Sequence, residues 1–278
     1  MSPKSRSDDV IIRVSYSVRP SGEMIVQPFS SKVSRTALLT QSKVYRDLAE
    51  SSEPLKPFRV TALKEGNRPL YSSWHLMRLL PDKDYSFEVT SLLDPFLEDV
   101  LSTPSFTFSI YGRQLSAEVR ELNVFSPSDL ILPESRLYRV DFVTPTLLQF
   151  PRPNLRRKRN RYSLFPYPPL LLGSLAMHWN KFLEPKVSKV TGSRALYFLK
   201  EVDYRLRPMT VRYDEGRVRG FVGWTLFSLE ARKGSKLREN LRRMLAYSNL
   251  VGVGKSRSVG FGEVRVRLGE GTHPTPES

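Results

Sequence analysis

Apolar positions along the chain follow two rhythms, a period of two and a period near 3.6, and their order predicts the fold. Val10 to Val18 (VIIRVSYSV) is rich in β-branched residues and reads as a buried first strand. Lys32 to Glu50 follows as a helix, because Val33, Ala37, Val44 and Leu48 recur at helical spacing. Phe58 to Leu63 and Tyr85 to Val89 read as short strands, and Leu92 to Leu101 as a short helix interrupted near Pro95. Phe106 to Val124 returns to strand character, bent around Tyr111-Gly112. The order is β-α-β-β-α-β, that of a ferredoxin-like unit.

Ser126 to Ser135 (SPSDLILPES) is the linker candidate, and after it the same order recurs. Tyr138 to Thr144 reads as a strand, Pro169 to Phe182 as a helix, Ala195 to Tyr213 as extended and Arg217 to Leu229 as a strand. Lys236 to Ser248 carries the clearest helical stripe: Leu237, Leu241, Met244 and Leu245, with Arg238, Glu239, Arg242 and Arg243 opposite. Val264, Val266 and Leu268 alternate with Arg265 and Arg267 in a final half-buried strand. The predicted fold class is α+β: two tandem ferredoxin-like, RRM-like (βαββαβ) domains packed side by side. Their expected bounds are 10–125 and 137–269, with a linker at 126–136 and polar tails at 1–9 and 270–278, the first expected to be disordered. The halves share no sequence identity, so the repeat is one of element order only.

Charge narrows the function. The 278 residues include 44 Lys+Arg against 28 Asp+Glu, a formal net charge of +16, which calls for a polyanionic partner, nucleic acid first. No apolar run approaches the ~20 residues of a membrane span, and the opening MSPKSRSDDV lacks the apolar core of a secretory signal. There are no cysteines, hence no disulfides and no thiolate chemistry. His75, His178 and His273 are scattered without ligand spacing, so neither metal nor cofactor is expected, and His178 reads as a partly buried helix residue. No serine-hydrolase or paired-carboxylate arrangement is recognisable. The expected location is the cytoplasm.

Two stretches carry candidate chemistry. Leu250 to Arg267 (LVGVGKSRSVGFGEVRVR) sets Gly252, Gly254, Gly260 and Gly262 in the pattern G-x-G-x5-G-x-G around Lys255 and Arg257. Glycines permit close backbone approach, so such a loop can offer peptide N–H groups to a phosphate. Asn249 stands where a Walker A loop needs glycine, and Arg257 where the dinucleotide fingerprint does. The second stretch is RPNLRRKRNR, with Arg152, Arg156, Arg157, Lys158, Arg159 and Arg161. So dense a run repels itself and is expected to order against RNA phosphates. Tyr162, Phe165 and Tyr167 nearby could stack on unpaired bases or pack on the following helix.

The glycine loop after a helix, preceded by GFVGW (Gly220 to Trp224), resembles the CRISPR-associated repeat-RNA endoribonucleases, the sixth Cas family. VDFVTPTLL (Val140 to Leu148) is similar to the strand opening that family's second domain, and LFPYPPLLLGSLAMHW (Leu164 to Trp179) to its next helix. The resemblance covers the second half well and the first half loosely. It implies binding of a CRISPR repeat and one metal-independent cut per repeat, by attack of a ribose 2′-OH on the adjacent phosphate. The ends would be a 2′,3′-cyclic phosphate and a 5′-OH. Many members place a histidine near the first helix–strand connection, but here no histidine falls between Ser30 and Glu65, and the chain reads AESSEPLKPF (Ala49 to Phe58).

By resemblance to histidine-less archaeal members, the site is lysine-rich: Lys32, Arg35 and Lys56 from the first unit, Lys255 from the loop and Arg217 before GFVGW. An unperturbed lysine, pKa about 10.4, is neutral in roughly one molecule in a few thousand at pH 7, so charge stabilisation is expected to outweigh proton transfer and turnover to be slow. Gly252, Gly254, Arg257, Gly260 and Gly262 are expected to contact the RNA backbone with the arginine run. The alternatives are a non-catalytic repeat-RNA-binding subunit of a CRISPR effector complex and a general basic RNA-binding module. Other effector subunits and a second copy of the chain stay open as partners, and a membrane is not expected.

Overall fold

In the computed structural model, which describes residues 9–151 and 160–269, the period-two stretches form two large antiparallel sheets, beside two small two-stranded ones. In the first, Ile11–Pro20 lies at the centre between Tyr85–Ser91 and Arg113–Phe125, with Val14 opposite both Val89 and Leu122. Alternate residues Ile12, Val14, Tyr16 and Val18 point into a core shared with Val33, Leu38, Phe87 and Phe96. The predicted helix over Lys32 to Glu50 is two helices, α1 (Ser31–Gln41) and α2 (Lys43–Glu50). The break is at Ser42, whose hydroxyl accepts from Tyr45 N and so caps α2. A third helix, α3, spans Pro95–Ser102 and starts at the proline, where a missing N–H costs nothing. The bend at Tyr111-Gly112 is a full hairpin turn, both φ positive at 53° and 70°, and Ser105–Ile110 becomes an extra edge strand.

The second sheet has the strand order Leu199–Tyr213, Gly216–Leu229, Leu137–Thr146, Val264–Leu268, that of a βαββαβ unit. Helices α4 (Pro168–Phe182) and α6 (Lys236–Val251) cover one face, burying Leu172, Leu175, Trp179, Leu241, Met244 and Leu245 against Tyr138, Val140 and Phe227. The predicted extended stretch from Ala195 opens instead with α5 (Ser193–Phe198), whose six residues are too few to display a helical period.

The arginines opposite the α6 stripe are not a solvated face. Arg238 is buried and donates to the carbonyls of Leu229, Ala231 and Ser135 and to the Glu134 carboxylate. Arg242 and Arg243 donate to the carbonyls of Leu132 and Pro127. The candidate linker is thereby pinned along α6 by charge-assisted hydrogen bonds.

The two sheets meet through a third, small core of Phe29, Ala62, Leu147, Val211 and Phe261, in which the Phe29 and Phe261 rings stack at 4.4 Å. Beside it lies a buried ionic cluster. Glu263 receives Lys64 Nζ at 2.8 Å and Arg59 at 3.5 Å, and Glu88 receives Lys64 at 3.0 Å. Arg59 NH1 and Thr90 Oγ1 also donate to the Leu250 carbonyl, at the negative end of α6.

Candidate active site

The end of α6 sets the site. Gly252, at φ 68°, turns the chain off the helix, and the loop runs back to Gly262, with one 3-10 turn at Arg257–Val259. The glycines are pressed by the protein's own backbone and side chains. A Cβ on Gly254 would stand 2.4 Å from the Leu147 carbonyl oxygen, and one on Gly260 2.7 Å from the Ser31 Cβ. Most loop amides are likewise spent: Val253 N on Gly262 O, Gly254 N on Ser174 Oγ, Lys255 N on Leu147 O and Gly262 N on Pro145 O. Among the described residues the amides of Ser256, Arg257 and Ser258 are the ones in this loop with no partner. The unpaired amides thus lie at the loop tip rather than at the four glycines.

Arg257, expected on RNA, has its guanidinium buried under the loop, where NH1 reaches the Gly252 carbonyl at 3.4 Å. Burial, opposed by Tyr247 and reinforced by Arg59, brings its pKa down to about 10, still charged at neutral pH.

Lys255 is half-buried and shares a small groove with Lys56, Pro54, Leu55 and Ser256. This groove adjoins a larger recess of about 550 Å³ lined by Leu55, Phe150, Pro169, Leu170, Met177 and Lys255. The Lys56 ammonium is engaged: Nζ donates to Leu48 O and Ser51 O, both at 2.5 Å, and to Ser51 Oγ at 2.7 Å. Three acceptors at the C-terminal end of α2 take up its N–H groups, so the ammonium closes that helix and walls the groove. Burial shifts its pKa downward, against the pull of Glu53.

On α1, Ser31 Oγ donates to Val259 O at 2.7 Å, fastening the helix to the loop. The next residue, Lys32, is partly exposed and lies 3.8 Å from Asp214 Oδ1. Arg35 donates to the Tyr213 hydroxyl at 2.6 Å, and its buried Nε has no partner. Arg217 is exposed, with its guanidinium 4.7 Å from the centre of the Trp74 ring. Arg161 is exposed and stacks on Phe150 at 5.4 Å. Arg152, Arg156, Arg157, Lys158 and Arg159 lie outside the described residues, as do residues 1–8 of the expected tail at 1–9 and the whole expected tail at 270–278. Phe165 packs edge-on against Tyr204 at 5.2 Å.

His178 is more deeply placed than expected. Its Nε2 is 2.9 Å from the Lys56 carbonyl, which can only accept, so Nε2 carries the proton and Nδ1 accepts from the Tyr247 hydroxyl at 2.6 Å. Burial, and then the Arg257 charge, hold its pKa well below the ordinary histidine value. A base whose folded pKa is depressed confers stability that is present above its unfolded pKa, near 6.5, and is lost as pH falls below it. Acidifying from pH 7.5 to 5.5 is expected to lower the thermal midpoint of the unmodified chain more than that of His178→Gln. Parallel pH profiles for the two would contradict this assignment.

Among the described residues no group of three His, Asp or Glu could hold a metal ion. Residues 12–125 match the Cas6 N-terminal domain, and residues 140–264 match the CRISPR-associated endoribonuclease Cas6 family. The chain belongs to the Cas6 family. A Cas6 endoribonuclease of Saccharolobus solfataricus is 24% identical over 93% of this chain and 96% of its own length, and a second from the same organism is 25% identical over 93% and 97%. A Thermus thermophilus Cas6 structure superposes with a TM-score of 0.68 at 18% identity, over 94% of this chain and all of that one. A Cas6-related protein of Pyrococcus furiosus gives 0.58 at 12% identity, over 92% and 98%. The Cas6 fold thus spans both sheets, and membership in the family supports processing of CRISPR repeat RNA.

Sequence reasoning did not single out three residues that touch these candidate groups. Tyr213 and Asp214 sit at the tip of the hairpin joining Leu199–Tyr213 to Gly216–Leu229, with Asp214 at φ 50°. The turn signal Asp-Glu-Gly was legible, but its approach to α1 from some 180 residues away was not. Trp74, in a serine-rich stretch without strand or helix period, was the third.

Proposed function

We propose that the chain cuts CRISPR precursor transcripts once within each repeat, without a metal ion, by attack of a ribose 2′-OH on the adjacent phosphate. The new P–O bond closes a 2′,3′-cyclic phosphate as the bond to the 5′ oxygen breaks. One proton leaves the 2′-OH and one arrives on the departing 5′ oxygen. The observation that carries this reading is the Ser31–Val259 junction at 2.7 Å, which joins the helix bearing Lys32 and Arg35 to the loop bearing Lys255. Cations from both units then flank one phosphate path, joined by the amides of Ser256 to Ser258, which have no partner among the described residues.

Lys255 and Lys32 serve as charge clamps on the dianionic transition state, with Arg35, which stays protonated, supporting them. Lys56 holds the groove wall, and Arg217 belongs to binding rather than to the cut. Solved Cas6 structures described as a product complex and a substrate mimic complex share the fold, which supports RNA as the ligand.

One observation favours the non-catalytic alternative: His178, beside Lys56, has both ring nitrogens occupied and offers no base. A 5′-labelled repeat incubated in EDTA separates the readings. Cleavage at one position with a cyclic phosphate end is expected. A stable, uncleaved complex would mean a binding subunit, and equal affinity for unrelated RNA at matched salt a general RNA-binding module.

A further inference from the structure

Trp74 is about half exposed (51%), in a stretch that hydrogen bonds hold in place. Ser72 N donates to Pro28 O at 2.7 Å, Arg212 N to Ser73 O at 3.3 Å, and His75 N to the Ser72 hydroxyl at 3.0 Å. One side of the indole faces the Arg217 guanidinium, 4.7 Å from the ring centre. The ring also borders an open recess of about 280 Å³, with Pro28, Leu76, Arg212 and Asp214. Asp214 is the residue paired with Lys32, so the recess lies next to the proposed cutting site.

The hairpin beside Trp74 has two unlike faces. Met209, Val211, Tyr213 and Val218 turn inward onto the core around Phe29 and Phe261. Residues directly opposite in the register share a face, so Arg212 with Arg217, and Thr210 with Arg219, form the outer one. Like charges directly opposite destabilise a sheet. Yet none of these three arginines has a carboxylate within 4 Å among the described residues, although Asp214 and Glu215 stand at the tip. An exposed indole stacked by one arginine, beside a row of unneutralised arginines, matches the chemistry of single-stranded RNA: π-faces for bases and fixed cations for the backbone.

We propose that Trp74 and the Arg212–Arg217–Arg219 row form a base-stacking platform that holds an unpaired stretch of the repeat beside Lys32. This inference rests on the repeat-cutting function above and names how its substrate is positioned. The platform also gives Arg217 its role: it backs the indole and reads the backbone charge.

The test uses the full chain with a labelled repeat and a set of repeats each carrying one abasic nucleotide. Trp74→Ala is expected to weaken binding about tenfold, with an unchanged salt slope, while Trp74→Phe stays within about threefold of the unmodified chain. Arg217→Ala is expected to reduce the salt slope by about one. For the unmodified chain, an abasic substitution at one or two adjacent positions should weaken binding, and the same RNAs should bind Trp74→Ala without further loss. Circular dichroism and the thermal midpoint establish that each variant is folded. Binding by folded Trp74→Ala within twofold of the unmodified chain, or an abasic profile that the variant leaves intact, overturns the platform. Failure of the unmodified chain to bind or cut the repeat would instead overturn the function on which it rests.

Discussion

Replacing Lys32 and Lys255 together by alanine is expected to slow single-turnover repeat cleavage by about 10³-fold or more, with binding weakened far less. The expectation follows from where the two amines sit. Lys32 is on the first turn of α1, Lys255 on the loop that Ser31 fastens to that helix, and neither is occupied as a helix cap. A cation aimed at developing negative charge contributes more to the transition state than to the bound substrate, so the loss should fall on rate. Lys56→Ala provides the contrast. Its ammonium closes α2, so the variant should lose stability and should lose less rate than Lys255→Ala at a temperature where both are folded. A double variant cutting within about threefold of the unmodified chain would remove these lysines from the chemistry.

Glu263→Ala is expected to destabilise the fold by about 3–5 kcal/mol, a drop in thermal midpoint on the order of 10 °C. Glu263, Arg59 and Lys64 are all nearly sealed from solvent, so deleting the carboxylate leaves buried Arg59 without a close carboxylate and Lys64 with Glu88 alone. Glu88 does not substitute for it, since it already receives Lys64 and leaves Arg59 at 3.9 Å. Burial alone would raise the Glu88 pKa, but Lys64 and Arg59 outweigh it and hold the value near 2, at about 2 against an ordinary 4.5. A depressed carboxylate confers stability that is complete above its unfolded pKa and is lost as pH falls through the folded one. The cluster should therefore hold from neutral pH down to about 4.5 and weaken between there and about 2. A midpoint change under about 2 °C in Glu263→Ala, measured by calorimetry at pH 7, would contradict this account.

What the chain made legible were its periodic elements. The α6 stripe and the alternation of Val264 and Val266 needed no tertiary information, because period alone separates helix from strand. Short elements escaped: α5 has one and a half turns, and the Ser42 break between α1 and α2 depends on a cap that the apolar pattern cannot register. The glycine loop shows the limit most plainly. Its four glycines marked the place, but what presses on them comes from Ser31, Leu147 and the loop itself, so packing could not be told from RNA approach. Arg257 looked like a surface cation because burial of a charge is a tertiary event, decided here by α6 and Gly252. The hydrogen bonds of Lys56 and the setting of Trp74 were illegible for the same reason: the carbonyls and arginines around them are set by the fold rather than by neighbours in a periodic pattern.

The central claim is that the Ser31–Val259 junction positions a phosphate for attack by its own ribose 2′-OH. The direct measurement is a walk of single 2′-deoxy substitutions along the repeat, cut in EDTA under single turnover. One deoxy position, immediately 5′ of the cut, is predicted to abolish cleavage while leaving affinity within about threefold, and every other position should be cut normally. Cleavage that persists at every deoxy position would show that the 2′-OH is not the nucleophile and would contradict the account.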